Sequence, residues 1–102
     1  MLARRAGKEI IAMAIEVRIP TILRTLTDGA KAVEGKGGTL DELFADLDVR
    51  HPGLRDRLVD AKGLRKFVNV YLNDEDVRFL GGLETEVADG DNVTILPAVA
   101  GG

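Results

Sequence analysis

Hydrophobic residues change their spacing along this chain, and that change limits the folds open to it. Ile15, Val17 and Ile19 alternate with Glu16 and Arg18, the period of two expected of a half-buried strand. Leu40, Leu43, Phe44 and Leu47 recur every three or four residues, which puts them on one stripe of a helix. Phe67 to Leu72 and Asn92 to Leu96 return to the β-branched and aromatic composition of strands. Strands on both sides of one well-patterned helix predict an α+β chain. A mixed sheet would carry one main helix on one face and leave the other free for partners.

Local signals set the boundaries. Pro20 ends the first strand, and a polar stretch containing Asp28-Gly29 leads to a second segment, Ala30 to Glu34. The two read as a hairpin with a loop longer than the two-residue minimum. Thr39-Leu40-Asp41-Glu42 reads as a capping box, with the Thr39 hydroxyl accepting from the Glu42 amide and the Glu42 carboxylate from the Thr39 amide. Asp41 and Glu42 also suit the positive end of the helix dipole. His51-Pro52-Gly53 stops that helix, and Leu54, Leu58 and Val59 suggest a shorter helical turn. Asn73-Asp74-Glu75-Asp76 reads as an acidic turn before a short segment Val77-Arg78-Phe79, and Asp89-Gly90-Asp91 as another turn. Pro97 would end the last strand and launch the tail Ala98-Val99-Ala100-Gly101-Gly102, because proline fixes φ and has no N–H for a ladder. The expected organisation is an N-terminal extension over residues 1–12, set aside from the fold as either non-native or disordered. A domain over 13–97 follows, then a flexible functional tail over 98–102.

A chain of 102 residues, 45% hydrophobic and 30% charged, can bury one core and is far from the composition of disordered segments. Its net charge of −3 argues against a nucleic-acid partner, whose phosphates call for an excess of Lys and Arg. With no cysteine there are no disulfides, thiolate metal sites or thiol nucleophiles. No apolar run approaches the roughly 20 residues of a membrane span, and Glu9 and Glu16 interrupt any signal-like stretch. A cytoplasmic protein with no membrane partner is the expectation.

Several local patterns have ordinary explanations. Gly35-Lys36-Gly37-Gly38-Thr39 lacks the order of a phosphate-binding loop and reads as a loop entering a capped helix. Asp74-Glu75-Asp76 lacks the ligand spacing of a calcium loop. His51, the single histidine, has no cysteine with which to form a conventional zinc site, so no metal is expected. Asn92-Val93-Thr94 matches a glycosylation sequon but falls in a predicted strand. Lys62, Arg65 and Lys66 form a basic cluster, either a solvated surface or a contact for an acidic groove on a partner.

The end of the chain carries the most specific pattern. Asp89-Gly90-Asp91-Asn92-Val93-Thr94-Ile95-Leu96-Pro97-Ala98-Val99-Ala100-Gly101-Gly102 resembles the ubiquitin-like (β-grasp) sulfur carriers, with their Gly-Asp turn, apolar strand, proline and terminal Gly-Gly. Residues 14 to 102 as a whole fit that fold. Within the family, Val68-Asn69-Val70-Tyr71-Leu72-Asn73-Asp74-Glu75-Asp76-Val77-Arg78-Phe79 is most similar to the sulfur carrier of a cysteine-biosynthesis route. The resemblance implies a protein that is not itself an enzyme. Gly102 would be adenylylated by an enzyme of the ubiquitin-activating type and converted to a thiocarboxylate. That group would attack an aminoacrylate held by a pyridoxal-phosphate-dependent sulfhydrylase, and a zinc-dependent peptidase would release the cysteine. ATP and pyridoxal phosphate are then expected on the partner enzymes and no cofactor on this chain. Two alternatives share the Gly-Gly end: the small subunit of molybdopterin synthase, which often has two adjacent prolines where this chain has Pro97-Ala98, and a ubiquitin-like protein modifier.

The physics of the tail agrees with such a role. Gly101 and Gly102 lack Cβ and can pass through conformations closed to other residues. The run Pro97, Ala98, Val99, Ala100, Gly101 and Gly102 would reach about 20 Å when extended, enough to insert into a partner's active site. The exposed sheet face near the last strand is the expected docking surface.

Overall fold

The computed structural model describes residues 14–97. The extension over residues 1–12 and the tail residues Ala98, Val99, Ala100, Gly101 and Gly102 lie outside the described residues. Among the described residues there are seven strands and two α-helices: β1 (Ile15–Arg18), β2 (Ala32–Gly35), α1 (Leu40–Arg50), α2 (Leu54–Leu58), β3 (Val59–Asp60), β4 (Gly63–Leu64), β5 (Val68–Leu72), β6 (Glu75–Asp76) and β7 (Asn92–Pro97). The main sheet runs β2-β1-β7-β5-β6, and β3 pairs with β4 in a separate small ribbon. β1 and β7 are parallel, with Val17 opposite Val93, whereas the other pairs in the main sheet are antiparallel. This is a ubiquitin-like β-grasp arrangement, a mixed sheet with its helices on one face.

The two periods of the sequence meet in the core. Ile15, Val17, Val70, Val93 and Ile95 project from the sheet, and the α1 stripe Leu40, Leu43, Phe44 and Leu47 is fully buried against them. Each such side chain contributes about 1.5–3 kcal/mol relative to exposure. Leu54 and Leu58 of α2 close one side. The opposite face of the sheet carries Glu16, Arg18, Thr94, Leu96, Asn69 and Tyr71, the alternate positions of the same strands. No helix among the described residues is long and apolar enough to cross a membrane.

Several local expectations need correction. The polar stretch after Pro20 is not a plain loop: Thr21–Thr27 forms a 3₁₀ helix, with Leu23 buried and the Thr27 hydroxyl donating to the Ala30 carbonyl at 3.0 Å. The second strand begins later than expected, at Ala32. The acidic turn contracts to Asn73-Asp74, whose φ of 50° and 77° close a two-residue hairpin, while Glu75–Asp76 pairs with β5. Val77–Phe79 is then a 3₁₀ turn capped by the Asp76 carboxylate, which accepts from the Arg78 amide at 2.9 Å. Val59 belongs to β3 and not to the helix before it.

The capping box is half as expected. Thr39 Oγ1 accepts from the Glu42 amide at 3.2 Å, but Glu42 Oε1 accepts from Gly38 at 2.7 Å, not from Thr39. Gly38 and Leu40 run beside Val87 and Thr85, with Leu40 donating to the Thr85 carbonyl at 2.9 Å and Val87 to the Gly38 carbonyl at 3.1 Å. That extended entry brings the Gly38 amide within reach of Glu42. The glycine-rich loop is built for close approach. A Cβ on Gly37 would lie 2.7 Å from the Leu43 backbone nitrogen, and one on Gly35 2.8 Å from Leu43 Cδ1.

Candidate functional site

The last strand positions everything that follows it, and its start is held by polar side chains. Asn73 sits at positive φ between β5 and β6, a conformation asparagine tolerates better than most residues. Its Oδ1 accepts from the Asn92 amide at 2.9 Å, and its Nδ2 donates to Asp91 Oδ1 at 3.0 Å. The second Asp91 oxygen accepts from the Ala88 amide at 2.8 Å. The expected Asp89-Gly90-Asp91 turn is thus present, with Gly90 at φ 88°.

The other end of β7 is bonded differently on its two flanks. The Asn73 amide donates to the Asn92 carbonyl and the Glu16 amide to the Asp91 carbonyl. Backbone groups alternate along a strand, so even-numbered residues of β7 face β5 and odd-numbered residues face β1. Pro97 lies opposite Val68 within the strand, so the proline does not end the strand before itself as the sequence suggested. By the alternation its nitrogen faces the β1 side. β1 has already stopped at Arg18, opposite Thr94. A residue without an N–H is tolerated there because no ladder bond is lost.

Where β1 turns away at Pro20, an open groove of about 520 Å³ lies beside Ile95–Pro97. Arg18, Arg24 and Lys31 line it together with Ile22 and Leu96, and no carboxylate does. Arg24 is partly committed, its Nε donating to the Ile19 carbonyl at 3.1 Å. A smaller hollow beside it adds Arg57 and Phe67 around the same proline. Ile22 (62% exposed), Phe67 (53%) and Leu96 (46%) form an apolar rim far more open than a core would allow.

Pro97 is thus the one predicted tail residue that the structure places, exposed at the end of the sheet's central strand. The remaining candidates, Gly102 among them, lie outside the described residues. The cations of the groove escaped the sequence reading because they come from β1, the 3₁₀ helix, the residue before β2, and α2. No contiguous run announces them. The contiguous cluster is partly spent: Arg65 Nε donates to the Asp56 carbonyl at 2.8 Å and Lys66 stands 5.8 Å from the Phe67 ring centroid. His51 caps the end of α1, its amide bonded to the Leu47 carbonyl at 2.8 Å. Among the described residues no group of three or more His, Asp or Glu side chains could hold a metal ion.

Comparison with known proteins places this geometry in a family. The model of the ThiS family matches residues 17–102. A sulfur carrier protein of Mycobacterium tuberculosis, CysO, is 55% identical over 93 residues, covering 88% of this chain and 100% of that protein. A chain in the crystal structure of the Amycolatopsis orientalis BexX/CysO complex superposes with a TM-score of 0.83 at 62% identity, covering 87% of this chain and 100% of that one. Small archaeal modifier protein 3 of Haloferax volcanii is 31% identical over 93 residues, covering 88% of this chain and 100% of that protein.

Proposed function

The chain belongs to the ThiS family, and on that premise we propose that it is a sulfur carrier whose working group is the carboxylate of Gly102. The observation that carries this reading is that the family match runs to the last residue, so Gly101-Gly102 falls inside the shared pattern. The chain is a substrate that others act on, not an enzyme.

A carboxylate is a poor electrophile and must be activated before sulfur can enter. The Gly102 carboxylate oxygen bonds to the α-phosphorus of ATP and pyrophosphate leaves. Hydrosulfide then adds to the acyl carbonyl, AMP leaves and a proton is lost, so that the terminus carries sulfur in place of one oxygen. An adenylating enzyme supplies the ATP site. This chain supplies a rigid body, an exposed strand end at Pro97 and a tail able to reach about 20 Å from it. Likeness to CysO supports a pyridoxal-phosphate-dependent enzyme that makes cysteine as the sulfur acceptor. The outer sheet face around Thr94 and Leu96 is the docking surface for these partners.

A second reading draws on the archaeal modifier relative: the same activated carboxylate could meet a lysine amine and form an isopeptide bond. Intact-protein mass spectrometry after incubation with an adenylating enzyme, ATP and a sulfur donor separates the two. The carrier reading expects an oxygen-to-sulfur mass shift that fragmentation confines to Gly102. Deletion of Gly101-Gly102 should abolish it while leaving the thermal unfolding midpoint unchanged. A terminus that stays a plain carboxylate with several activating enzymes, while higher-mass lysine conjugates form, would replace it with the modifier reading.

A further inference from the structure

We propose that the groove beside Pro97 is an electrostatic seat for an acidic loop of the adenylating enzyme, with Arg18 and Lys31 as its contacts. The proposal rests on the carrier reading and adds to it the surface and charge by which the enzyme finds the tail.

The chain carries a net charge of −3, and its reacting end is a carboxylate that must approach a nucleotide triphosphate. Like charges oppose that encounter, so productive association needs a local attraction close to the tail. The groove has the required sign and place. Arg18, Arg24 and Lys31 line it without a single carboxylate, Arg57 stands in the adjoining hollow, and Pro97 belongs to both walls. Arg18 and Lys31 are exposed, and among the described residues neither is in a salt bridge. Arg24 braces the turn through the Ile19 carbonyl, so it supports the seat while the other two make contact.

Backbone pairing offers little here. Beyond the last β1 partner at Thr94, the free flank of β7 has no N–H to offer at Pro97, so a strand added there would be limited to donating to carbonyls. What remains is chiefly charge, with Ile22 and Leu96 as the apolar rim beside it.

The test measures association of the full-length chain with the adenylating enzyme by stopped flow at several ionic strengths. A double reversal, Arg18→Glu with Lys31→Glu, is compared with Lys36→Glu plus Lys62→Glu, which changes net charge equally at sites away from the groove. The groove pair should slow association roughly tenfold at low salt, and the difference should fade as salt rises above about 0.5 M, since exposed charges are screened. Turnover at saturating carrier should be unchanged. If the reversal disturbs folding, Arg18→Gln with Lys31→Gln should give the same pattern at smaller size. Equal slowing by both pairs would reduce the effect to net charge and overturn the proposal, as would no slowing or slowing that persists in high salt. Wild-type carrier that is adenylylated normally while the groove variants associate normally sinks the groove alone; wild-type carrier that is never adenylylated sinks the carrier reading and the groove with it.

Discussion

The two ends of β7 are held in different ways. At its start, Asp91 and Asn92 are gripped by Asn73 and by the Ala88 amide, and the neighbouring strands end in equally dense bonding. Next to them, Asp46 Oδ2 accepts from the Lys36 amide at 2.9 Å, and Arg50 Nη2 donates to the Glu34 carbonyl at 2.7 Å. At its finish, Leu96 and Pro97 are paired with β5 beyond the last β1 partner, with exposed apolar side chains around them and, among the described residues, Arg18 and Lys31 outside any salt bridge. Polar side chains that lock backbone together leave little for a partner to bind. Such bonds grip β7 itself at its start; at its finish they hold the neighbouring β5, where Arg78 donates to the Val68 and Arg65 carbonyls at 2.7 and 2.8 Å, and leave Pro97 exposed. If this division is correct, damage at the tethered end should lower stability without altering chemistry at the terminus.

The largest such loss is expected from Gly37→Ala. The new Cβ would meet backbone, Leu43 N at 2.7 Å and Glu42 C at 3.0 Å, so the loop or the first turn of α1 must move. Overpacking of this kind costs about 1–3 kcal/mol. A thermal melt should show it as a midpoint drop of roughly 4–8 °C per kcal/mol. Sulfur loading measured well below the midpoint should equal wild type; a loading defect in the folded variant would mean that the two ends are coupled. Asn73→Ala comes next, at about 1–2 kcal/mol, from two lost side-chain bonds and from alanine's poor fit to φ 50°. Asn73→Gly separates the two causes, because it keeps the backbone conformation and loses only the bonds. Chemical denaturation of both variants should rank Gly above Ala, and the reverse order would show that the turn strain is absent.

How far these features can be read in the sequence depends on whether they are periodic. The α1 stripe, the β1 alternation, the Thr39 cap and the Asp89-Gly90-Asp91 turn each follow from neighbours in sequence, and the structure has them. The 3₁₀ helix Thr21–Thr27 was missed because its packing rests on Leu23 and Thr27, too few positions to show a period. Pro97 was read as a strand breaker because its orientation depends on which flank of β7 lacks a neighbour, and only the sheet order settles that. The groove was invisible for a related reason: Arg18 looks like any outward residue of an alternating strand until Lys31 and Arg57 are folded beside it. Conversely, the family pattern at the terminus is legible only in sequence, since Gly102 lies outside the described residues.

The smallest effect expected at the tethered end belongs to Asp46, and pH gives it a sign. Arg50 donates to the carboxylate at 3.0 Å and holds its pKa below the ordinary value, with help from the Lys36 amide and from both positive charges and against a smaller penalty from partial burial. A carboxyl whose pKa is depressed by folding contributes stability that is present above its unfolded pKa and lost as pH falls through the folded one. The contribution should therefore be complete near neutrality and fade below about pH 4. The pair is partly open to solvent, with side chains 45% and 26% exposed, so the amount is that of a helix i,i+4 pair, about 0.3–0.5 kcal/mol. Asp46→Asn keeps an oxygen for the Lys36 amide but loses the charge. Denaturant midpoints of variant and wild type should differ slightly at pH 7 and converge toward pH 3. A gap that stays constant across that range would assign the role of Asp46 to its hydrogen bond with the loop and not to its charge, and would make the tether at this end a matter of geometry alone.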